Sequence, residues 1–392
     1  MKRHCVLVAA FLAGCGGGEP ASDSAAVRGV SDDTIVVGTH NDMSGPLAMW
    51  GVELVNGIRM RFDEVNAEGG VHGRKLELIV EDSQYQVPMA VRAANKLINA
   101  DNIFVMLGAI GTPHNNAVMD RQFEAGVPNL FPLSAAVSMY EPLHPMKFGY
   151  YVSYRDSARA AVQYMVEKEG VEKTCLQVIA NDYGEENRIG YQQAVDELGL
   201  TSVYAGSHKN TETDFVGTAA SIKASGCELL ILAPLIKDSI LLYSELRGAG
   251  WEGIVVGNLA SYFPDIAKAN DGAMNDFYVA TSLRIPNFED EKGTWVGSWY
   301  DKYVATYGSP PAAQAVTGYV KAELLIQGLE AAGRDLTAES LIKGLETIKD
   351  YRDPFGAPPV SFSATKHTGG DSLNLYQVVD GKWQTIEAGV PY

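Results

Sequence analysis

Short apolar runs alternate along the chain with longer segments in which apolar residues recur every three or four positions. The runs, such as residues 103–107 and 228–233, are rich in β-branched and aliphatic side chains, as expected for strands buried on both faces. The longer segments, such as residues 52–67, carry apolar residues along one helical face. Because strand and helix alternate, the pattern predicts an α/β fold in which helices cover both faces of parallel sheets.

This alternation occurs twice, which predicts two doubly wound halves. The first half has predicted strands at 33–38, 76–81, 103–107 and 128–131, and predicted helices at 52–67, 88–99 and 113–124. An extended connection at 148–155 precedes the second half. Its predicted strands are 175–181, 201–206, 228–233, 253–257 and 277–281, and its predicted helices are 156–169, 186–198, 215–224, 236–248 and 261–268.

The remainder is predicted to be helical at 291–307, 312–332 and 337–349, with strands at 360–362 and 374–385. The simplest packing returns these late helices to the first half. The predicted lobes are therefore residues 32–150 plus 285–354, and residues 151–284 plus 355–392.

Small-residue loops follow the third and fourth predicted strands, at 108–112 and 132–136. Thr112 is predicted to be the N-cap of the helix at 113–124. The carboxyl ends of parallel strands share one edge of a sheet, and open α/β sheets bind ligands at that edge. We therefore expect a ligand site between this edge and the corresponding edge of the second half.

The N-terminus predicts export. Lys2 and Arg3 precede a short apolar run, and Leu12-Ala13-Gly14-Cys15 resembles the bacterial lipobox. This predicts a lipoprotein signal peptide at 1–14 and a lipidated Cys15, which begins a flexible tether at 15–31. The alternative is a plain secretory signal with an incidental cysteine.

Composition narrows the classes of function. The net charge of −17 argues against a nucleic-acid partner, because phosphate binding needs a basic face. No stretch after residue 15 has the length of apolar sequence that a membrane helix needs. The sequence contains no G-x-S-x-G, H-E-x-x-H or C-x-x-C motif and no phosphate loop, so we predict neither an enzyme nor a bound cofactor. A metal site from His40, His114 and Asp42 lacks a compact ligand spacing.

Cys175 and Cys227 each begin a predicted strand of the second half. In a doubly wound sheet these strands are neighbours. Two interpretations stay open, a disulfide formed in an oxidising compartment and two separate buried thiols.

Four segments resemble the type I periplasmic solute-binding proteins, and most closely the leucine/isoleucine/valine-binding subfamily of ABC importers. They are 41–51 (NDMSGPLAMWG), 65–76 (VNAEGGVHGRKL), 79–84 (IVEDSQ) and 181–184 (NDYG). The resemblance implies two lobes joined by three crossover strands, near 150–155, 280–285 and 355–362, that close around a ligand. It also implies a periplasmic location, with a small-molecule ligand and a transporter permease as partners.

The resemblance also implies ligand-binding residues. Trp50 stands where the family places an aromatic residue against the ligand side chain, and Tyr183 stands where it places one on the second lobe. The first-lobe loop that donates hydrogen bonds to a ligand carboxylate corresponds to Gly111, Thr112 and His114.

Three positions depart from the amino-acid-binding pattern. Ala135, beside Ser134, replaces a threonine that contacts the ligand, and Leu235 replaces a tyrosine. Leu259 replaces the carboxylate that pairs with the ligand's ammonium. A buried ammonium without a counter-charge costs several kcal/mol, and the nearby Asp238 and Asp265 are predicted to lie inside helices.

With Trp50, Leu133, Ala135, Leu235, Leu259 and Tyr262, the cleft is expected to be mainly apolar. It suits a hydrophobic ligand with one or two oxygens, such as an aromatic or aliphatic acid, an isoprenoid or a sterol. We predict a binding protein, anchored to the membrane through Cys15 in the periplasm, that delivers this ligand to a transporter. The alternatives are an amino-acid-binding protein of an ABC importer and a periplasmic lipid or sterol carrier of a non-ABC system. A signalling receptor would need an output segment.

Overall fold

The computed structural model describes Met1 and residues 26–392. The predicted lipobox and Cys15 lie outside the described residues. No helix within the described part of the chain has the length and apolar character needed to cross a membrane.

The first lobe is built on a sheet of five parallel strands. The strands are β1 (Thr34–Asn41), β2 (Lys75–Asp82), β3 (Val105–Leu107), β4 (Asn129–Leu130) and β5 (Lys147–Phe148). Their order in the sheet is β2-β1-β3-β4-β5. The intervening helices are α1 (Ala48–Ala67), α2 (Val87–Asn99), α3 (Thr112–Asn116) and α4 (Met119–Glu124).

The second lobe is built on a sheet of seven strands. Its elements begin with α5 (Tyr154–Glu169), β6 (Lys173–Ile179), α6 (Asp182–Leu198), β7 (Thr201–His208), α7 (Val216–Ala224), β8 (Leu229–Ala233), α8 (Ile236–Gly248), β9 (Ile254–Gly257), α9 (Pro264–Lys268) and β10 (Phe277–Thr281). A terminal hairpin, β11 (Leu373–Val379) and β12 (Lys382–Val390), adds antiparallel strands beside β10. The order is β12-β11-β10-β9-β8-β6-β7.

The late helices are α10 (Trp295–Tyr307), α11 (Ala313–Ala332) and α12 (Ala338–Glu346). Helix α11 packs along α1, which places it beside the first lobe. The two backbones approach closely because a glycine stands at each side of the contact. A side chain at Gly57 would collide with the Ala315 carbonyl, and one at Gly318 would collide with the Leu54 carbonyl.

Three connections run side by side between the lobes, as the family resemblance implies. The Val152 N–H donates to the Ser282 hydroxyl at 3.2 Å, which links the first connection to the second. Gly149 exchanges backbone hydrogen bonds with His367 and Gly369, which links the first to the third. The third connection therefore meets the first after the predicted segment 355–362. Val360 forms only isolated bridges, so the predicted strand at 360–362 is wrong.

Other corrections concern local boundaries. The predicted helix at 113–124 is two helices, α3 and α4. Its predicted cap is also wrong, because Gly111, with φ of 91°, is the residue before α3 and Thr112 lies inside it. The predicted turn at 182–184 is the first turn of α6, which Asn181 caps by accepting a hydrogen bond from the Gly184 N–H at 3.1 Å.

Cys175 and Cys227 form a disulfide with their Cα atoms 5.9 Å apart. Cys175 lies in β6 and Cys227 lies two residues before β8, and these strands are adjacent. The disulfide interpretation is therefore confirmed over two separate thiols.

Candidate ligand site between the lobes

The carboxyl edges of the two sheets face each other across a small cavity of about 20 Å³, which is room for about one water molecule. Both lobes contribute to its wall, and none of the lining residues in the described part of the chain is charged. The lining residues are Leu47, Trp50, Tyr85, Ile110, Gly111, Thr112, Leu133, Tyr154, Tyr183, Leu235, Ile236 and Ala260.

A carboxylate fixes the first-lobe loop that carries Leu47 and leads to Trp50. Asp42, at the end of β1, accepts hydrogen bonds from the Gly45 N–H at 2.5 Å and the Leu47 N–H at 2.7 Å. Asp42 is thus engaged in shaping the loop, a common role for aspartate in turns. Trp50 is 5% exposed and stacks against Phe263 of the second lobe with ring centroids 6.3 Å apart.

Thr112 places a hydroxyl on the first-lobe wall. Its Oγ1 lies 2.8 Å from the Ser134 Oγ, and Ser134 in turn accepts a hydrogen bond from the Ala136 N–H at 3.2 Å. Asn115 holds the preceding turn by donating to the Gly111 carbonyl at 2.8 Å. Both hydroxyls are buried, so the pair forms a neutral polar spot in an apolar wall.

Tyr85 enters the cavity from the loop after β2. Its φ of 51° and the φ of 50° at Gln84 are left-handed values that non-glycine residues adopt rarely and that cluster at functional sites. The Tyr85 ring packs on His114 with centroids 4.5 Å apart, so His114 lies behind Tyr85. Burial lowers the pKa of His114 and lowers that of His40 to about 3, so both imidazoles are neutral near pH 7.

The second-lobe wall is fixed by hydrogen bonds among neutral groups. The Tyr183 hydroxyl donates to the Asn258 Oδ1 at 3.1 Å, and the Asn258 Nδ2 donates to the Asn187 Oδ1 at 2.7 Å. The Tyr154 ring packs edge-on against Tyr183 with centroids 4.7 Å apart. Burial raises the pKa of both tyrosines, which keeps their hydroxyls protonated.

Known proteins share this architecture. Residues 34–382 match the sequence profile of the periplasmic binding proteins. The chain belongs to this family. The resemblance to type I binding proteins and the predicted two-lobed α/β fold are both confirmed.

Relatives cover almost all of the chain. A Leu/Ile/Val-binding protein homologue of Brucella suis is 26% identical, over 98% of this chain and 96% of its own length. A fatty acid ABC transporter substrate-binding protein from Thermomonospora curvata superposes with a TM-score of 0.82 at 22% identity, covering 93% of this chain and 94% of its own. LivJ of Streptococcus pneumoniae, in complex with isoleucine, has a TM-score of 0.76 at 19% identity and covers 91% and 100% of the two chains.

In this periplasmic binding protein, the structure brings part of the predicted site together. The predicted residues that line the cavity are Trp50, Gly111, Thr112, Leu133, Tyr183 and Leu235. The predicted residues outside the lining are His114, Ser134, Ala135, Leu259 and Tyr262. Ser134 lies behind Thr112, and the Ala135 carbonyl accepts a hydrogen bond from the Tyr154 N–H at 2.9 Å.

Leu259 and Tyr262 need correction as lining residues. Leu259 begins a short 3₁₀ turn in which its neighbour Ala260, and not Leu259 itself, reaches the cavity. The Tyr262 hydroxyl accepts a hydrogen bond from the Ile285 N–H at 3.3 Å, and its ring packs on Tyr376 at 4.4 Å. Tyr262 therefore supports the connection after β10.

Six lining residues were not predicted from the sequence, namely Leu47, Tyr85, Ile110, Tyr154, Ile236 and Ala260. Tyr85 lies in a loop at the carboxyl edge, so the rule that ligands bind at this edge could have identified it. Tyr154 has no such signal, because it follows a connection between the lobes.

The two aspartates considered as substitutes for the missing carboxylate do not reach the cavity. Asp238 pairs with His208 at 3.3 Å, with both side chains buried. Asp265 is exposed to solvent. Within residues 26–392, no group of three or more histidine, cysteine or acidic side chains is arranged to hold a metal ion.

Proposed function

We propose that this periplasmic binding protein captures an apolar ligand with an oxygen acceptor and no ammonium group, and delivers it to a membrane transporter. The observation that carries the proposal is the absence of any charged side chain among the cavity-lining residues. An α-amino acid brings a cation that must be desolvated when the lobes close. Without a carboxylate to pair with it, that cation would lose several kcal/mol of binding free energy.

The polar groups of the wall favour an acceptor on the ligand. Trp50 lines the cavity, and its indole N–H is buried without a hydrogen-bond partner among the described residues. An indole nitrogen can only donate, so its natural partner is a ligand oxygen. Thr112 offers a hydroxyl on the same lobe. Ketones, esters and carboxylates provide such an oxygen, whereas an ammonium group does not.

The names of similar proteins leave two ligand classes to compare. The Thermomonospora protein is named for fatty acids, and the pneumococcal protein was solved with isoleucine. A branched-chain amino acid is therefore the second candidate. The uncharged wall favours the first class for this chain.

A thermal-shift screen tests the proposal by comparing amino acids, aliphatic and aromatic acids, and lipids. We expect saturable stabilisation by members of the acid or lipid groups and none by leucine, isoleucine or valine. The variant Leu235→Glu, which adds a charge to the second-lobe wall, should weaken binding of the stabilising compound at least about tenfold. Ile386→Glu on the exposed face of β12 is the matched control and should bind normally. Stabilisation by leucine alone would contradict the proposal.

We also propose that the protein is held at the membrane through a lipid on Cys15 in the periplasm. The support is the lipobox-like Leu12-Ala13-Gly14-Cys15 and the Gly/Ser-rich segment that follows it. Labelling of the wild type by a radioactive fatty acid, lost in Cys15→Ser, is the expected result. Equal labelling of both would contradict the anchor.

A further inference from the structure

Tyr154 is the one cavity-lining residue that directly follows the connection between β5 and α5. Ser153 fixes the start of α5 by accepting a hydrogen bond from the Asp156 N–H at 2.9 Å. The Tyr154 N–H donates to the Ala135 carbonyl at 2.9 Å, in the first-lobe turn after β4. Its ring packs edge-on against Tyr183 of the second lobe. Tyr154 thus contacts both lobes and the cavity at once.

The Tyr154 side chain is held inside this seam. It is 5% exposed, and its ring lies 4.7 Å from the Tyr183 ring, centroid to centroid. The other two tyrosines of the lining are each held by their own lobe, Tyr183 through Asn258 and Tyr85 through His114. A rotation of the lobes would leave these two contacts intact. The same rotation would change the contacts of Tyr154 on one side or the other.

The cavity is small because aromatic rings occupy the space between the lobes. A buried tyrosine covers roughly 150–250 Å² of surface, which is comparable to the area of a small apolar ligand. Only about 20 Å³ remains open beside the rings of Trp50 and the three tyrosines. The Tyr154 ring, which lies where the two lobes meet, therefore limits the length of a ligand that fits when the lobes are in contact.

We infer that Tyr154 is a specificity-determining residue that sets the largest ligand the closed cavity accepts. Its ring closes the cavity where the two lobes meet, packed edge-on against Tyr183. Only the choice of test ligands rests on the proposed function.

The experiment compares the ratio of affinities for a long and a short ligand in four full-length proteins. These are the wild type, Tyr154→Phe, Tyr154→Ala and the control Tyr191→Ala. Tyr191 is a buried second-lobe tyrosine that hydrogen-bonds to Thr174 and Ser202 outside the cavity lining. Calorimetric titrations use decanoate as the long acid and 4-methylpentanoate as the short one.

We expect Tyr154→Ala to raise the affinity ratio of decanoate to 4-methylpentanoate at least about tenfold. Removal of the ring leaves space in which the additional methylene groups of decanoate can be buried. Tyr154→Phe keeps the ring and should leave the ratio within about twofold of the wild type. Tyr191→Ala reports the effect of losing a buried ring elsewhere and should not change the ratio. An unchanged ratio in Tyr154→Ala would overturn the inference, even if both affinities fall together.

The inference about Tyr154 and the proposed function can fail separately. If the wild type binds leucine and not the acids, the proposed ligand class fails, and the ratio of phenylalanine to leucine measures the role of Tyr154 instead. If neither the wild type nor Tyr154→Ala binds any of these compounds, the cavity is not the ligand site and the inference fails with it.

Discussion

His40 lies at the carboxyl end of β1 and is buried, with both ring nitrogens lacking a hydrogen-bond partner among the described residues. Burial, together with the nearby His114, lowers its pKa to about 3. The folded protein therefore cannot take up a proton at this site until the solution is strongly acidic. The unfolded chain, by contrast, protonates the same histidine near its usual value of about 6.5.

The sign of the pH effect follows from proton binding. Between about pH 6.5 and about pH 3 the unfolded state binds more protons at His40, so the free energy of unfolding falls as the pH falls. We expect His40→Met to reduce this acid sensitivity. Urea denaturation of both proteins from pH 7 to pH 4 measures the difference in unfolding free energy. A difference that stays constant over this range would show that His40 takes up a proton as readily in the folded protein as in the unfolded chain.

Only some of the residues that line the site could be predicted from the sequence. Trp50 and Tyr183 reach the cavity because each stands in or next to a loop at a strand's carboxyl end, which the alternating pattern locates. The second-lobe turn was placed one residue off, since Ala260 and not Leu259 faces the cavity. Tyr154 could not be predicted, because its contacts join Ala135 and Tyr183, which are far apart in the chain.

At the scale of elements, helix α6 carries polar contacts between the lobes. The Asn116 Nδ2 donates to Asp182 at 2.8 Å, and the Val137 N–H donates to the Glu186 Oε2 at 3.2 Å. The other oxygen of Glu186 accepts a hydrogen bond from Arg155 at 2.8 Å. The first two contacts join the lobes and so stabilise the arrangement in which the lobes meet, and none of these residues lines the cavity.

Glu186→Ala should weaken ligand binding by about three- to tenfold, because it removes a charged acceptor from the seam. Glu185→Ala is the matched control, since among residues 26–392 Glu185 forms an ion pair only with Arg188 of its own helix. Small-angle X-ray scattering should also give a larger radius of gyration for Glu186→Ala than for the control. Equal affinities and equal radii of gyration in the two variants would show that Glu186 does not stabilise the closed arrangement.

The helices and strands themselves follow the periodicity of the sequence well. The predicted α8 and β10 have the observed bounds, because each is delimited by glycine, proline or a polar turn. The break between α3 and α4 was missed, since residues 113–124 carry no internal proline or glycine. Its cause lies in tertiary contacts, such as the Asn115 side chain that hydrogen-bonds to the Ala109 and Gly111 carbonyls.

At the scale of the whole molecule, the chain crosses between the lobes three times, and α11 returns to pack on α1. This return depends on Gly57 and Gly318, which let the two helix backbones touch. The prediction that the late helices rejoin the first lobe came from the simplest packing of the predicted elements. The close contact itself was not predicted, because a glycine inside a helix looks unfavourable until its neighbour is known.

We expect Gly57→Ala to destabilise the protein by about 1–3 kcal/mol, because its methyl group would overlap the Ala315 carbonyl. Gly217→Ala in α7 is the control, since a methyl group there meets no atom within 4 Å. Chemical denaturation gives both free energies of unfolding. A Gly57→Ala variant as stable as Gly217→Ala would mean that α1 and α11 can separate at little cost.

The central claim is that two lobes close on a ligand without an ammonium group. The most direct measurement is calorimetric titration of the wild type with leucine and with 4-methylpentanoate, which has the same carbon skeleton without the ammonium. We predict that 4-methylpentanoate binds at least about tenfold more tightly than leucine. Both ligands carry a carboxylate, to which the Trp50 indole N–H and the Thr112 hydroxyl can donate, but only leucine carries an ammonium, and the lining offers no carboxylate to pair with it. Tighter binding of leucine would contradict the claim.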